Sequence, residues 1–99
     1  MESPQNTQKI QVKASDEALK GSYANAMSVT HTKEEFILDF LSLFPPQGII
    51  NARVIMSPGH LKRVVAALAD NLKKYEDKFG KIKESEEPKG ATVGFQDRG

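Results

Sequence analysis

The chain has 99 residues, a formal net charge of +1 and no cysteine. This length fits one domain, and the lack of cysteine excludes disulfides, thiolate metal sites and a cysteine nucleophile. A net charge this small gives no argument by itself for binding to nucleic acid or to a membrane. Residues 49–83 do carry eight Lys or Arg against three Asp or Glu, net +5, and a solvated helix surface is the simplest explanation.

The ends of the chain differ in composition from its middle. Residues 1–8 and 83–99 are polar or charged without apolar periodicity, so we predict disordered tails around a single domain at residues 9–82. No stretch approaches the roughly 20 apolar residues that span a bilayer, and the start of the chain does not read as a secretion signal. We therefore expect a cytoplasmic protein with no membrane partner.

Alternating apolar residues predict strands in the first half of the domain. Ile10 and Val12 suggest a short edge strand. Larger side chains then alternate with small ones at Tyr23, Asn25, Met27, Val29 and His31. A second strand is predicted there.

The segment from Glu35 to Phe44 fits two structures. Thr32 with Glu35 forms a possible capping box, and the apolar residues that follow would make a helical stripe. As a strand, the same segment has two apolar faces and is stopped by the two prolines that follow it. Such a strand needs cover beyond one helix, and a second copy of the chain is the simplest supply.

A further strand and a long helix follow. Residues 48–57 alternate with a period of two, and Arg53 interrupts one apolar face as Asp39 interrupts the face of the segment before it. If these two segments pair, Asp39 and Arg53 could form a structural ion pair, either across the strands or across a dimer.

Ser57 and Pro58 are a strong helix start, as N-cap and first helical residue, and Gly80 marks its end. Steps of three and four residues place one apolar stripe along the helix, at Leu61, Val64, Val65, Leu68, Leu72, Tyr75 and Phe79. Asp70 and Lys74, and likewise Lys73 and Asp77, are spaced for pairing on the polar side.

Five blocks of the chain together resemble a known family. They are YAN at 23–25, EFILDF at 35–40, RV at 53–54 with SP at 57–58, and NLKKYEDKFGKI at 71–82, and Pro45 belongs to the same pattern. They are similar to DUF3467, an uncharacterised family of small bacterial and archaeal proteins without an established activity. The resemblance implies a strand for residues 35–44. The expected fold is therefore α+β, with four antiparallel strands, a long C-terminal helix packed on one face of the sheet (ββββα), and a dimeric assembly.

The residues do not form a recognisable catalytic constellation. His31 and His60 are not spaced with acidic partners as metal ligands or as a nucleophile–base pair, and no Gly-rich phosphate loop is present. We expect no enzyme activity, no cofactor and no metal. Helix N-termini bind anions, so Ser57, His60, Lys62 and Arg63 form a possible anion site, although a simple serine cap explains the same residues better.

Two functions remain open from the sequence. The first is a non-catalytic homodimeric interaction or assembly module with an unidentified protein partner. The second is a single-stranded nucleic-acid-binding domain, since four strands and a helix follow the order of whirly-type domains. The second function requires an exposed aromatic ring surrounded by Lys or Arg.

Overall fold

The computed structural model of the chain describes residues 8–86. They form a short helix α1 (Asp16–Lys20), three strands and a long helix α2 (Pro58–Phe79). The strands are β1 (Ala26–His31), β2 (Phe36–Phe44) and β3 (Gln47–Met56). The predicted α+β class, the antiparallel sheet and the long C-terminal helix are confirmed.

The sheet has the order β1-β2-β3, with β2 in the centre and both neighbours antiparallel to it. The prediction of a strand at residues 35–44, rather than a helix, is confirmed. Thr32 explains the ambiguity, because its hydroxyl accepts hydrogen bonds from the amides of Glu34 and Glu35, each at 3.2 Å. Its own amide donates to the Glu35 carbonyl at 2.9 Å. The apparent helix cap therefore closes the turn between β1 and β2.

The N-terminal part of the domain differs from the sequence prediction. Residues 8–15, including Ile10 and Val12, form no strand, so the described residues contain three strands instead of four. Ser15 instead caps α1, with its hydroxyl accepting a hydrogen bond from the Ala18 amide at 3.1 Å. Two alternating apolar residues among lysines bury too little to hold an edge strand, whereas the serine cap is a local signal. The predicted tails lie outside the described residues except for Gln8 and residues 83–86.

Helix α2 has the predicted ends but not the predicted packing. The Ser57 hydroxyl accepts a hydrogen bond from the His60 amide at 3.2 Å, and Gly80 ends the helix with a φ of 99°. However, α2 makes no more than marginal contact with any strand, and none of its residues is buried. The prediction that this helix packs on its own sheet is therefore wrong. The connection to β3 is too short for it, since only Ser57 separates Met56 from Pro58.

The core of a single chain is very small. The buried residues of the described part are Leu38, Asp39, Leu41 and Leu43, and all of them lie on β2. Strands β1 and β3 cover β2 from its sides, while both flanking strands and the helix stay largely exposed. The fold therefore leaves two apolar surfaces, one on the sheet and one on the helix, without cover from the described part of the chain.

Candidate interaction surface

The ion pair predicted on the sheet is present in the structure. Asp39 and Arg53 lie directly opposite each other on β2 and β3. Arg53 donates from Nε to Oδ1 of Asp39 at 2.7 Å and from Nη2 to Oδ2 at 3.0 Å. The hydrogen bond with Asp39, and then the charge of its carboxylate, raise the pKa of Arg53 above its ordinary value. A fork of this kind neutralises the charge of the Asp39 carboxylate, which is only 6% exposed.

The residues of the predicted anion site, Ser57, His60, Lys62 and Arg63, are all exposed at the start of α2. Ser57 is engaged in its own helix cap, and Arg63 Nη2 lies 3.1 Å from Nδ1 of His60. Lys62 is exposed on the same turn. The helix cap explains the serine at this position without a bound ligand, as the serine-cap interpretation expects.

The histidines do not meet acidic residues in a site. His31 ends β1, where its ring lies 5.2 Å from the ring of Phe36, whereas His60 lies in the first turn of α2. Residues 8–86 contain no group of three or more His, Cys, Asp or Glu side chains that could hold a metal ion. Within the same range, no helix is long and apolar enough to cross a membrane.

Asn25, in the YAN block, forms hydrogen bonds that the sequence did not reveal. The side-chain amide of Asn25 donates to the Leu43 carbonyl at 3.1 Å and accepts from the Leu43 amide at 2.8 Å. Its backbone amide donates to the Leu41 carbonyl at 2.9 Å. Asn25 therefore acts as one more β-ladder residue and extends the pairing of β1 with β2 by its side chain.

A second set of polar contacts at the same end of the sheet joins β2 and β3 to Tyr23, in the segment before β1. Between Phe40 and Leu41 the register of β2 with β3 shifts, which leaves Asn51 as an additional residue in β3. Its side-chain amide donates to the Ser42 hydroxyl at 2.7 Å and to the Tyr23 carbonyl, which also accepts from Ser42 at 2.7 Å. The bulge thus turns Asn51 across the central strand toward Tyr23, in the segment before β1. Only the alternation of β3 was visible in the sequence, so this contact was not predictable.

One face of the sheet is apolar across all three strands. Residues directly opposite each other in antiparallel strands share a face. Val29, Leu38 and Val54 form one such row, and Met27 and Phe40 belong to the next. We call these five residues the apolar sheet face. Leu38 is buried by its neighbours, but Met27, Val29 and Val54 are 41–52% exposed.

The apolar side of α2 is equally uncovered. Val65, Leu68, Leu72, Tyr75 and Phe79 are each at least half exposed, and we call them the helix stripe. At its end the rings of Tyr75 and Phe79 lie 4.9 Å apart. The opposite side of the helix carries the ion pairs Lys73–Asp77 and Lys74–Asp70, at 3.0 and 3.1 Å, as the spacing predicts. The helix is therefore amphipathic, with its polar side solvated and its apolar side left uncovered by residues 8–86.

An open cleft lies at one end of the sheet. Tyr23 and Phe44 form its aromatic wall, with ring centroids 6.4 Å apart, and Pro45 and Ser85 lie beside them. Among the described residues, Glu86 is the one charged side chain that lines it. A small-molecule site usually combines an apolar pocket with several converging polar groups. The described lining of this cleft is mostly apolar, and its Asn25 side chain is already bonded to Leu43.

The chain belongs to the family described as "Protein of unknown function (DUF3467)", whose sequence profile matches residues 1–84. This match confirms the family expected from the YAN, EFILDF and later blocks. No curated protein and no solved structure matches the chain. The comparisons therefore establish the family and leave its biochemical role to be inferred from the structure.

Proposed function

We propose that this DUF3467 protein is a non-catalytic interaction module that works as a homodimer. The observation that carries the proposal is the pairing of a minimal core with two large exposed apolar surfaces. Three hydrophobic residues of the described part are buried, whereas the apolar sheet face and the helix stripe remain open to solvent. Soluble monomers rarely expose apolar patches of this extent, and such patches mark interaction sites.

The energetics favour association over an isolated folded chain. A domain of this size is only marginally stable even with a complete core. Full burial of a Val, Leu, Tyr or Phe side chain stabilises by about 1.5–3 kcal/mol. Covering the half-exposed helix stripe alone would then contribute on the order of 5 kcal/mol. A second copy of the chain can supply this cover, because it is present at the same concentration and carries the same two surfaces for a symmetric contact.

The proposed module has no catalytic role. Asp39, the buried carboxylate of the sheet, is held in the fork of Arg53, and the two histidines lie apart on exposed positions. A nucleophile with an oriented base, or two carboxylates in different environments, is the usual requirement for catalysis. We also propose a cytoplasmic location, which the absence of cysteine suits because that compartment is reducing.

Single-stranded nucleic acid is the second candidate partner, and one observation favours it. Phe79 is exposed, and Lys78 Nζ lies 5.3 Å from the centre of its ring. An exposed ring beside a cation is the arrangement on which bases stack. This ring, however, belongs to the helix stripe, and the lysines 73 and 74 nearby are each paired with an aspartate. Burial of Phe79 in the dimer therefore explains its position more simply than stacking on a base does.

Thermal unfolding at several protein concentrations tests the proposed function. A dimer that folds as it associates must melt at a higher temperature when the protein concentration rises. We expect such an increase, unchanged by added single-stranded DNA or RNA. A melting temperature independent of protein concentration contradicts the homodimer. A rise that requires nucleic acid and falls steeply with salt would favour the second candidate instead.

A further inference from the structure

The connection between β3 and α2 restricts where this helix can pack. Ser57 is the single residue between the last residue of the strand and the first of the helix. A residue spans at most about 3.6 Å, whereas packed layers of secondary structure lie about 10 Å apart. Connections between strands and packed helices normally have at least two residues, and often more. Helix α2 is therefore directed away from its own sheet, as the structure has it.

The two uncovered surfaces fit each other in chemistry and size. A sheet with one apolar face and a helix with one apolar stripe are normally packed together in a domain. The 22 residues of α2 make a helix about 33 Å long, which matches strands of nine and ten residues at about 3.3 Å per residue. Each chain therefore presents one apolar helix and one apolar sheet that its own connection keeps apart.

We propose that two copies exchange their helices, so that α2 of each chain packs its helix stripe on the apolar sheet face of the other. This inference rests on the proposed homodimer and specifies which surfaces form it. The exchange is reciprocal, since the same two surfaces meet twice around a two-fold axis. The ion pairs Lys73–Asp77 and Lys74–Asp70 then stay on the solvated side of the helix.

The area covered by this exchange is sufficient for a stable dimer. A helix about 33 Å long and 10 Å wide has a footprint on the order of 300 Å². With two helices packed along their full length, and both surfaces of each contact counted, the exchange buries roughly 1,200 Å², the lower end of the range of specific interfaces. A dimer formed by the two helices alone would leave the apolar sheet face exposed.

Complementation between two variants tests the exchange. Leu68→Asp places a charge in the helix stripe, and Val29→Asp places one in the apolar sheet face. Ala66→Asp, on the polar side of α2, and Thr30→Asp, on the other face of β1, are matched controls. Each variant is purified, and in each mixture one of the two variants carries a tag that changes its mass. Sedimentation measures the mass of each variant by itself and of the mixture. Circular dichroism follows the helix content of the same samples.

In an exchanged dimer of either variant with itself, each of the two helix-to-sheet contacts contains one aspartate. A mixed dimer of the two variants has one intact contact and one contact with two aspartates. We therefore expect each variant alone to dimerise at least tenfold more weakly than its control, and the mixture to form a heterodimer at least tenfold tighter than either. Helix content should rise with mixing if the variants alone are partly unfolded.

Two results would overturn the exchange while retaining the homodimer. One is a Val29→Asp protein that dimerises as well as Thr30→Asp while Leu68→Asp does not, as expected for a helix-to-helix dimer. The other is a mixture of weakened variants that gains neither mass nor helix content. A monomeric wild-type protein would instead contradict the proposed function itself.

Discussion

Replacing Asn25 with alanine removes the side chain that extends the ladder between β1 and β2. Both of its bonds to Leu43 are lost, which leaves the Leu43 amide and carbonyl unpaired beside a buried side chain. A hydrogen bond of this kind contributes about 1 kcal/mol net, so the expected loss is about 2 kcal/mol. In a domain of this size the melting temperature should fall by roughly 8–16 °C. The control is Asn71→Ala, which removes an exposed bond to the Ala67 carbonyl on α2.

Chemical denaturation at one fixed protein concentration measures the stability change, because dimerisation makes stability concentration-dependent. Amide hydrogen exchange locates it. In the wild-type protein the Leu43 amide donates to the Asn25 side chain, so it should exchange slowly and lose this protection in Asn25→Ala. Asn71→Ala should remain within about 0.5 kcal/mol of the wild type. An Asn25→Ala protein of unchanged stability and unchanged exchange at Leu43 would refute the ladder interpretation.

Three further substitutions address other contacts, each followed by thermal or chemical unfolding. Arg53→Met should lower the melting temperature by an amount that is constant from about pH 7 to 10. Because Asp39 raises the pKa of Arg53, the stabilisation by the charged arginine is complete at any pH below the ordinary arginine pKa and is lost only above that pKa. A difference that changes across that range would contradict this assignment. Gly48→Ala should cost about 1 kcal/mol, because the new Cβ would lie 2.8 Å from a buried leucine methyl, while Gly59→Ala has open space and should be neutral or stabilising. Equal effects of the two glycine substitutions would exclude the steric explanation. Ser57→Ala should cost about 1 kcal/mol through the lost cap, and a loss that appears only with added phosphate would point to an anion site instead.

Local signals explain which elements the sequence predicts well. Helix α2 combines a serine cap, a proline in its first turn, a periodic stripe and a terminal glycine, and both of its ends agree with the structure. Thr32 shows the limit of such signals, because one hydroxyl that accepts from the next amides serves a helix cap or a β-turn equally well. Periodicity alone did not separate strand from helix for residues 36–44, and the family resemblance decided it.

Long-range contacts explain what the sequence did not predict. The bond between Asn25 and Leu43 joins residues 18 apart, and the bulge at Asn51 depends on the pairing of β2 with β3. Neither leaves a periodic trace in the chain. The ion pair of Asp39 with Arg53 was predictable because both charges interrupt apolar alternation in neighbouring strands. The packing of α2 was not, because the helix stripe indicates burial without indicating which chain supplies the covering surface.

The solution mass of the intact wild-type chain tests the central claim most directly. Sedimentation equilibrium should be measured from about 1 to 100 µM protein, a range that detects dimers with micromolar or tighter dissociation constants. The proposed homodimer predicts twice the 10.9 kDa chain mass across most of this range, without any added partner. A mass of one chain at every concentration would contradict it, because the apolar sheet face and the helix stripe would then remain exposed in a stable monomer.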